Sequence, residues 1–160
     1  MSGHQDPIDP ARSRLMSRIK AKNTKPEMLI RSRLHRLGFR FRLHDRRLPG
    51  RPDIVLPKYN AVIFINGCFW HRHDCHYFRL PKTRTAFWAE KLFANQERDE
   101  RKRTALVKAG WRVATVWECG VRDRSEEELV CLVNDISKWI REPSESGQSV
   151  PAPVEIHFPP

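Results

Sequence analysis

Ten consecutive residues, Gly67 to His76, concentrate side chains that bind metals or transfer protons: two cysteines, three histidines and one aspartate, beside two large aromatics. They follow Ala61–Ile65, an unbroken apolar run that predicts a fully buried strand. A loop at the end of a core strand is held by a rigid scaffold, where a functional site can be built.

The cysteines of this loop predict a zinc site. Zn²⁺ binds about four thiolate or imidazole donors in a tetrahedron. Cys68 and Cys75 flank the histidines, and Cys119 ends another predicted strand, 44 positions beyond Cys75. If those strands lie close together, three thiols converge and one histidine completes the set. His73, two residues from Cys75, is favoured over the other two. Such a site has no open position, which indicates a structural ion; the alternative is buried thiols beside surface histidines.

A carboxylate predicts a second site. Asp53 opens a short apolar strand directly after Gly50-Arg51-Pro52, and burying an unpaired charge is costly. Mg²⁺ binds one or two carboxylates together with phosphate oxygens and water. A further ligand would come from the neighbouring strand at 64–66. If water attacks a phosphate bound to the ion, His71 could take the proton of that water. The alternatives are a loop-capping role for Asp53 and a surface position for His71.

Two further features admit two interpretations each. Glu27 closes a capping box that begins at Thr24, so its carboxylate can have a purely structural role. Phe69, Trp70 and Trp88 are large aromatics in polar, basic surroundings. On a DNA-facing surface they could wedge between base pairs; the alternative is a small satellite core around the zinc.

The charge of the chain lies at one end. The net charge is +11, and residues 1–52 carry 14 Lys and Arg against 4 Asp and Glu, whereas residues 53–160 carry 16 against 15. This imbalance is typical of a protein that binds a polyanion, and nucleic acid is the first candidate. A solvated basic face and an anionic membrane surface are the alternatives, the second disfavoured by the few large apolar side chains in residues 1–24.

The length and hydropathy of the chain narrow the class of protein. A chain of 160 residues corresponds to one domain. Residues 1–11 are too polar for a secretory signal, and no apolar run approaches the roughly 20 residues of a membrane span. We therefore expect an intracellular protein with no membrane partner, whose four cysteines are thiols or metal ligands rather than disulfides.

Periodicity and capping signals predict an α/β fold, with a mixed β-sheet flanked by helices in the order α-α-β-β-β-α-β-α. We expect three regions: a basic, DNA-contacting arm with a helix at 1–22, the main domain at 23–141, and a disordered Pro- and Ser-rich tail at 142–160. Within them we expect helices at 10–21 and 25–37, a strand at 39–43, a hairpin at 53–65, a helix from 85 to 109 that is exposed or kinked at 95–104, a strand at 111–117 and a helix from 125.

Ordered blocks of residues then resemble a known family. The blocks are Leu48-Pro-Gly-Arg-Pro-Asp53, Val62-Ile-Phe, Gly67-Cys-Phe-Trp-His71, Thr83-Arg-Thr, Phe87-Trp88, Glu97-Arg-Asp99, Gly110-Trp-Arg-Val and Val116-Trp-Glu-Cys119. Together, over roughly residues 10–124, they are similar to the very-short-patch repair endonucleases, the Vsr family.

The resemblance implies a restriction-endonuclease-like fold and a Mg²⁺-dependent, strand-specific nick. The nick lies 5′ of the thymine in T:G mismatches that arise when 5-methylcytosine deaminates, and it starts short-patch repair. The implied partner is double-stranded DNA with such a mismatch, with other mismatch-repair proteins as further partners. The protein would act as a monomer on DNA, at the nucleoid of the bacterial cytoplasm.

The resemblance also implies roles for individual residues. Asp53 is similar to the metal-binding aspartate, the backbone carbonyl of Ile65 to a further Mg²⁺ ligand, and His71 to the catalytic histidine. Acidic positions near that site match Glu27 and Asp99. The zinc ligands of the family match Cys68, His73, Cys75 and Cys119 of this chain. The aromatics that intercalate in the family match Phe69, Trp70 and Trp88.

One position departs from the family pattern. The best-known members have a second histidine directly before the Gly-Cys-Phe-Trp block, where this chain has Asn66. Asparagine can orient water or phosphate but cannot carry a proton, so His71 must act alone as the base. Two other functions stay open: a non-catalytic, zinc-stabilised DNA-binding module and a restriction endonuclease for paired duplexes. The wedge aromatics favour a mismatch, because unstacking a mismatched base costs less.

Overall fold

A computed structural model describes residues 10–142 and 151–156, with only the backbone described at Arg12. The described part is a mixed α/β structure, as the sequence predicts. Its helices and strands are α1 Pro10–Ser17, α2 Lys25–Arg36, β1 Arg42–Leu43, β2 Ile54–Leu56, β3 Ala61–Asn66, α3 Thr85–Lys108, β4 Arg112–Trp117, α4 Glu126–Arg141 and β5 Val154–Ile156. Within these ranges, no helix is long and apolar enough to cross a membrane.

The described strands form one five-stranded sheet whose spatial order follows the chain, β1-β2-β3-β4-β5. The first three strands pair antiparallel, which confirms the predicted hairpin between β2 and β3. β3, β4 and β5 are parallel, and α3 provides the crossover between β3 and β4. The register of β3 and β4 runs from Ala61 opposite Arg112 to Asn66 opposite Trp117. The two strands therefore end side by side.

Helices cover both faces of the sheet, because the core strands are apolar on both sides. Alternate residues of β3 enter two different clusters, as the two-residue period of a strand requires. Ile63 packs with residues of α2 and α4, whereas Val62 packs with Leu106 of α3. The apolar face predicted for α4 is confirmed by its buried side chains, which include Leu129, Leu132, Val133, Ile136 and Ile140.

The two predicted capping boxes differ in outcome. At α4 the box is complete: Glu128 N donates to Ser125 Oγ at 3.2 Å and Ser125 N donates to Glu128 Oε2 at 2.7 Å. At α2, Glu27 N donates to Thr24 Oγ1 at 3.4 Å, but the Glu27 carboxylate accepts from Asn23 N at 2.7 Å instead of from Thr24. The carboxylate thus reaches one residue beyond the cap, which leaves it close to the sheet.

Several predicted boundaries are wrong. The strand expected at 39–43 is reduced to β1, because Phe39 N donates to Leu34 O at 3.1 Å and the Phe39 side chain is buried in the core. Phe39 is therefore hydrogen-bonded to the last turn of α2 and does not begin a strand. The helix expected to reach residue 21 ends at Ser17.

The polar stretch at 95–104 was expected to be exposed or kinked. α3 continues through it without interruption and most of its side chains are exposed, so the first alternative is confirmed.

The tail prediction is wrong for part of its range. We expected disorder throughout 142–160, but Val154–Ile156 adds a fifth strand parallel to β4. β3 covers only one edge of β4, and β5 pairs with the backbone groups of the other edge. Val154 and Ile156 also pack against the core cluster on either side of the exposed Glu155. Residues 143–150 and 157–160, like 1–9 of the predicted basic arm, lie outside the described residues.

The packing of β5 predicts that its two apolar side chains contribute to stability. Replacing Val154 and Ile156 together by alanine should lower the free energy of unfolding by about 1–3 kcal/mol, because two half-buried apolar side chains lose their contacts. Urea denaturation measures the change. Asp135→Asn, at an exposed position of α4, is the control. An unchanged denaturation midpoint in the double variant would contradict a folded β5.

Candidate active site and metal centre

Cysteine and histidine side chains meet where β3 and β4 end. One ligand atom each from Cys68, His73, Cys75 and Cys119 lies within 4.8 Å of every other, and the Cys119 sulfur lies 3.5 Å from His73 Nδ1. Cys119 N donates to Cys68 Sγ at 3.4 Å. The structure thus brings together the four predicted zinc ligands in a cluster that could hold a metal ion.

Local structure fixes the histidine of this cluster. His73 N donates to Cys68 O at 3.0 Å, which folds the loop back on the end of β3. The imidazole of His73 stacks on Trp117, the last residue of β4, with 4.1 Å between centroids and an interplanar angle of 6°. The position of the imidazole therefore follows from the pairing of the two strands.

Burial favours neutral thiols in the metal-free cluster. It raises the pKa of Cys68, and it also raises the pKa of Cys119. A bound cation favours thiolates and so offsets this penalty. Cys131 takes no part in the cluster, and it is exposed on α4.

A second centre lies in a cavity of about 290 Å³ beside the same strand ends. Its wall combines two carboxylates, two histidines and an amide with four basic side chains. Both signs of charge therefore face the same space, as expected where an anionic phosphate and a cation bind together. The lining includes Lys22, His44, Arg51, Asp53, Ile65, Asn66, His71, Asp99, Lys102 and Arg103.

Asp53 is the most constrained carboxylate in this cavity. Its Oδ2 accepts a hydrogen bond from Ile65 N at 2.7 Å, so the two predicted Mg²⁺-binding residues are in contact. Burial raises the pKa of Asp53 from 3.8 to about 6, an effect that the bond from Ile65 reduces. The negative charge of Glu27 adds to the rise, whereas His44 and His71 oppose it. The fold thus places a carboxylate where a positive charge would stabilise it.

His71 and Asp99 form a pair across the cavity. A short contact joins His71 Nδ1 to Asp99 Oδ2, and Lys102 Nζ lies 4.0 Å from the other oxygen of Asp99. Asp99 belongs to α3, 28 residues beyond His71. Because Nδ1 faces the carboxylate, Nε2 is the nitrogen left to accept a proton, the arrangement of a histidine base oriented by an acid.

Glu27 reaches the same region from α2. It is 2% exposed, and its carboxylate accepts hydrogen bonds from Asn23 N at 2.7 Å and from Arg31 at 3.0 Å. Its Oε1 also lies 2.9 Å from His44 Nε2. Glu27 therefore keeps the structural role expected of a capping residue and also stands next to the cavity.

Sequence reasoning missed His44. This histidine lines the cavity and lies between Glu27 and Asp53, with Nδ1 3.6 Å from Asp53 Oδ1. It stands nine positions before Asp53 in an irregular loop, where no spacing marks it as a site residue. Its basic surroundings and the nearby turn at Pro49-Gly50 point only to a surface loop.

Asn66, the position that departs from the family pattern, is 8% exposed and lines the same cavity. It is the last residue of β3, directly before the cysteine and histidine loop. Its amide is therefore placed to contact a group in the cavity.

The three predicted DNA-facing aromatics form a cluster. Phe69 meets Trp70 and Trp88 edge to face, with centroids 5.1 and 5.6 Å apart. The side chain of Asn95 donates to Trp70 O at 3.2 Å, and Lys91 Nζ lies 5.2 Å from the Trp88 ring. All three rings are half-buried against one another. In the free protein they are thus a satellite cluster, with a cation beside it.

Comparison with known proteins gives a consistent result. A family model described as DNA mismatch endonuclease Vsr matches residues 5–77. The type II nicking enzyme V.XorIIP of Xanthomonas oryzae pv. oryzae is 51% identical over 119 residues, which are 74% of this chain and 88% of that protein.

Two further relatives extend the similarity. The type II nicking enzyme V.NmeAIP of Neisseria meningitidis is 47% identical over 127 residues, 78% of this chain and 91% of the relative. The DNA mismatch endonuclease Vsr of Escherichia coli K12 is 45% identical over 129 residues, 81% of this chain and 83% of the relative. In each case the alignment spans most of both proteins.

The cysteine and histidine cluster predicts a tightly held metal ion. We expect about one equivalent of a thiophilic metal in the purified protein, because this donor set matches a closed tetrahedral site. Cys119→Ser should remove most of that metal and lower the melting temperature. Cys131→Ser, at an exposed position of α4, should change neither the metal content nor the melting temperature. Elemental analysis by mass spectrometry measures the metal. Equal loss in both variants would contradict the assignment.

The raised pKa of Asp53 predicts a pH-dependent stability. The folded state holds this proton up to about pH 6, whereas the unfolded chain releases it near 3.8, so stability falls as the pH rises between these values. Asp53→Asn has no charge to bury. It should exceed the wild type in unfolding free energy above pH 6 by on the order of 1–3 kcal/mol, and the gap should close below about pH 4.

Denaturation curves between about pH 3 and 8, without added divalent cations, measure this gap. Asp135→Asn is the control, since Asp135 is exposed on α4 and its replacement should change stability little. A variant at Asp53 that is no more stable than the wild type at pH 7 would show that the carboxylate bears no burial penalty.

Proposed function

We propose that this chain, which belongs to the DNA mismatch endonuclease Vsr family, nicks one strand of duplex DNA at a T:G mismatch. Family membership makes it a DNA endonuclease, a hydrolase of phosphodiester bonds. The proposed cleavage rests above all on one observation, the cavity in which Asp53 faces the His71–Asp99 pair among basic side chains.

The arrangement of elements supports a restriction-endonuclease-like fold. The antiparallel hairpin of β2 and β3 places Asp53 and Ile65 next to each other, and the crossover helix α3 supplies Asp99. One acid thus lies beside the sheet and the other on the helix that crosses over it. We propose this fold as the frame of the nuclease.

The residues of the cavity fit a divalent cation. Asp53 is a largely buried carboxylate with a raised pKa, so a cation would relieve the burial penalty of its charge. Asp53 and the backbone carbonyl of Ile65 would hold Mg²⁺, with Glu27 close by. When bound, Mg²⁺ would neutralise charge on the phosphate and on the leaving oxygen.

His71 supplies the base of the proposed reaction. As a water oxygen bonds to phosphorus, His71 Nε2 takes the proton of that water, and the bond from phosphorus to the leaving sugar oxygen breaks. Asp99 holds the imidazole through Nδ1 and stabilises its protonated form. Asn66 can orient the phosphate or the water but cannot accept a proton, so proton transfer depends on His71.

The cysteine and histidine cluster would hold a structural Zn²⁺. Four protein ligands leave no open position for water, and Cys68 is fully buried. Such an ion would tie the end of β3 to the end of β4 through Cys68 and Cys119. It would thereby fix the loop that carries both His71 and the first two aromatics of the cluster.

The aromatic cluster would recognise the mismatch. Phe69, Trp70 and Trp88 are half-buried and pack against one another, and Lys91 beside them can meet a phosphate. Rings inserted beside a base pair cost a few kcal/mol of unstacking, and a mismatch lowers that cost. The basic residues of the cavity would bind the flanking backbone.

We further propose that the nick lies 5′ of the mismatched thymine and starts short-patch repair where 5-methylcytosine has deaminated. The protein would act as a monomer on double-stranded DNA and hand the nick to other repair proteins. The relatives named as type II nicking enzymes are consistent with a cut in one strand. A restriction endonuclease that cuts both strands of paired DNA is the alternative.

The proposal predicts a strand-specific product. Duplexes labelled on either strand, one with a T:G pair and one with a T:A pair, are incubated with the protein and Mg²⁺. We expect one nick, 5′ of the thymine, in the mismatched duplex only, and no product in excess chelator. Asp53→Ala should abolish cleavage because the cation loses its carboxylate ligand.

The exposed Asp135→Asn variant controls for nonspecific damage and should cut like the wild type. Cleavage of both strands of the paired duplex would replace the proposal by the restriction-enzyme reading. Tight binding of the mismatched duplex with no cut under any divalent cation would leave a binding module.

A further inference from the structure

His44 links the two carboxylates of the cavity wall. Its side chain is 14% exposed, while those of Glu27 and Asp53 are 2% and 17% exposed. One donor atom each from Glu27, His44 and Asp53 lies within 4.8 Å of both others. An imidazole between two buried carboxylates is a potential ligand and not a surface group.

The two nitrogens of His44 face different partners. Nε2 is buried and lies 2.9 Å from Glu27 Oε1, an ion-pair distance, although its direction falls outside hydrogen-bond alignment. Nδ1 lies 3.6 Å from Asp53 Oδ1. With the proton on Nε2, the nitrogen nearer Glu27, Nδ1 carries a lone pair and is the nitrogen near Asp53.

A nitrogen lone pair beside a carboxylate oxygen puts two electron-rich atoms next to each other, and a cation between them would stabilise this arrangement. The 3.6 Å separation is too long for a hydrogen bond. Adjacent ligands of an octahedral ion with bonds of about 2.1 Å stand about 3 Å apart, so a small adjustment would let both atoms bind one ion. Metal-bound histidines almost always donate their other N–H to a carboxylate, the place that Glu27 occupies.

The backbone at His44 is held for this position. Its φ is 50°, in the left-handed region that residues other than glycine rarely adopt. His44 N donates to Asp53 O at 3.4 Å, which ties the loop to the start of β2. The strained residue is thus fastened to the very residue that its imidazole faces.

We propose that His44 Nδ1 is a direct ligand of the divalent cation held by Asp53, with Glu27 orienting the imidazole. The inference rests on the proposed metal-dependent nuclease and adds a nitrogen to a site otherwise made of oxygens. Mg²⁺ strongly favours oxygen ligands, whereas transition-metal ions accept imidazole. This protein should therefore bind Mn²⁺ more tightly than Mg²⁺, and His44 should account for the difference.

The test uses the full chain with its cysteine and histidine cluster loaded with Zn²⁺, and Mn²⁺ as the probe, without DNA. Pulsed electron paramagnetic resonance detects a nitrogen bound directly to Mn²⁺. We expect this coupling in the wild type and its loss in His44→Gln, which keeps the size and polarity of the side chain. Mn²⁺ affinity should fall about ten- to hundredfold in that variant, and Mg²⁺ affinity much less.

Two matched variants identify the nitrogen. His35→Gln, an exposed histidine of α2, should keep the coupling and the affinity. His71→Gln should keep the coupling too, because His71 is assigned to proton transfer. A coupling that survives in His44→Gln, or that disappears in His71→Gln instead, would overturn the proposal. So would a wild-type spectrum with no bound nitrogen, which would reduce His44 to positioning the carboxylates.

Cleavage of the T:G duplex separates this failure from that of the proposed function. If the wild type cuts with Mn²⁺ but shows no nitrogen coupling, the nuclease assignment stands and the ligand assignment falls. If the wild type neither binds Mn²⁺ nor cuts with any divalent cation, both fall.

Discussion

The parallel pairing of β3 with β4 is the constraint on which both candidate centres depend. Their register ends with Asn66 opposite Trp117, so the loop after β3 and the turn after β4 leave the sheet at the same level. That coincidence brings Cys68 to Cys119 and lets Trp117 support His73. A shift of one residue would turn the side chains of β3 to opposite faces and separate these partners.

The same strand also organises the acidic cavity. Ile65, next to the end of β3, holds the Asp53 carboxylate through its backbone N–H, and Asn66 and His71 follow within a few residues. One short segment of the chain therefore contributes residues to both centres. Metal loss at the cysteine and histidine cluster would consequently disturb the position of His71.

The two buried acids of the site show how stability and function are divided. Glu27 is stabilised by a backbone N–H and by Arg31, so its negative charge is well compensated within the fold. Asp53 receives a backbone hydrogen bond from Ile65, and burial still raises its pKa to about 6. The fold thus leaves Asp53 as the acid that gains most from a bound cation. Locally unfavourable arrangements of this kind are expected at functional sites.

Local rules predicted much of this structure. The α4 capping box, the β2–β3 hairpin and the four metal-cluster donors follow from patterns within short segments or from residue types at strand ends. The contributions of Asp99 and β5 depend on tertiary structure: Asp99 meets His71 only because α3 crosses back over the sheet, and β5 needs the open edge of β4. Nothing near His44 in the sequence indicates that its imidazole lies between two acids.

The central claim is that Asp53 acts in the chemical step and not in DNA recognition. The most direct test measures, on one T:G duplex with Mg²⁺, both the binding affinity and the single-turnover cleavage rate of Asp53→Asn. We expect affinity within a few-fold of the wild type and a cleavage rate reduced at least about a thousandfold, the effect of losing several kcal/mol of stabilisation. A cleavage rate close to that of the wild type would contradict the account.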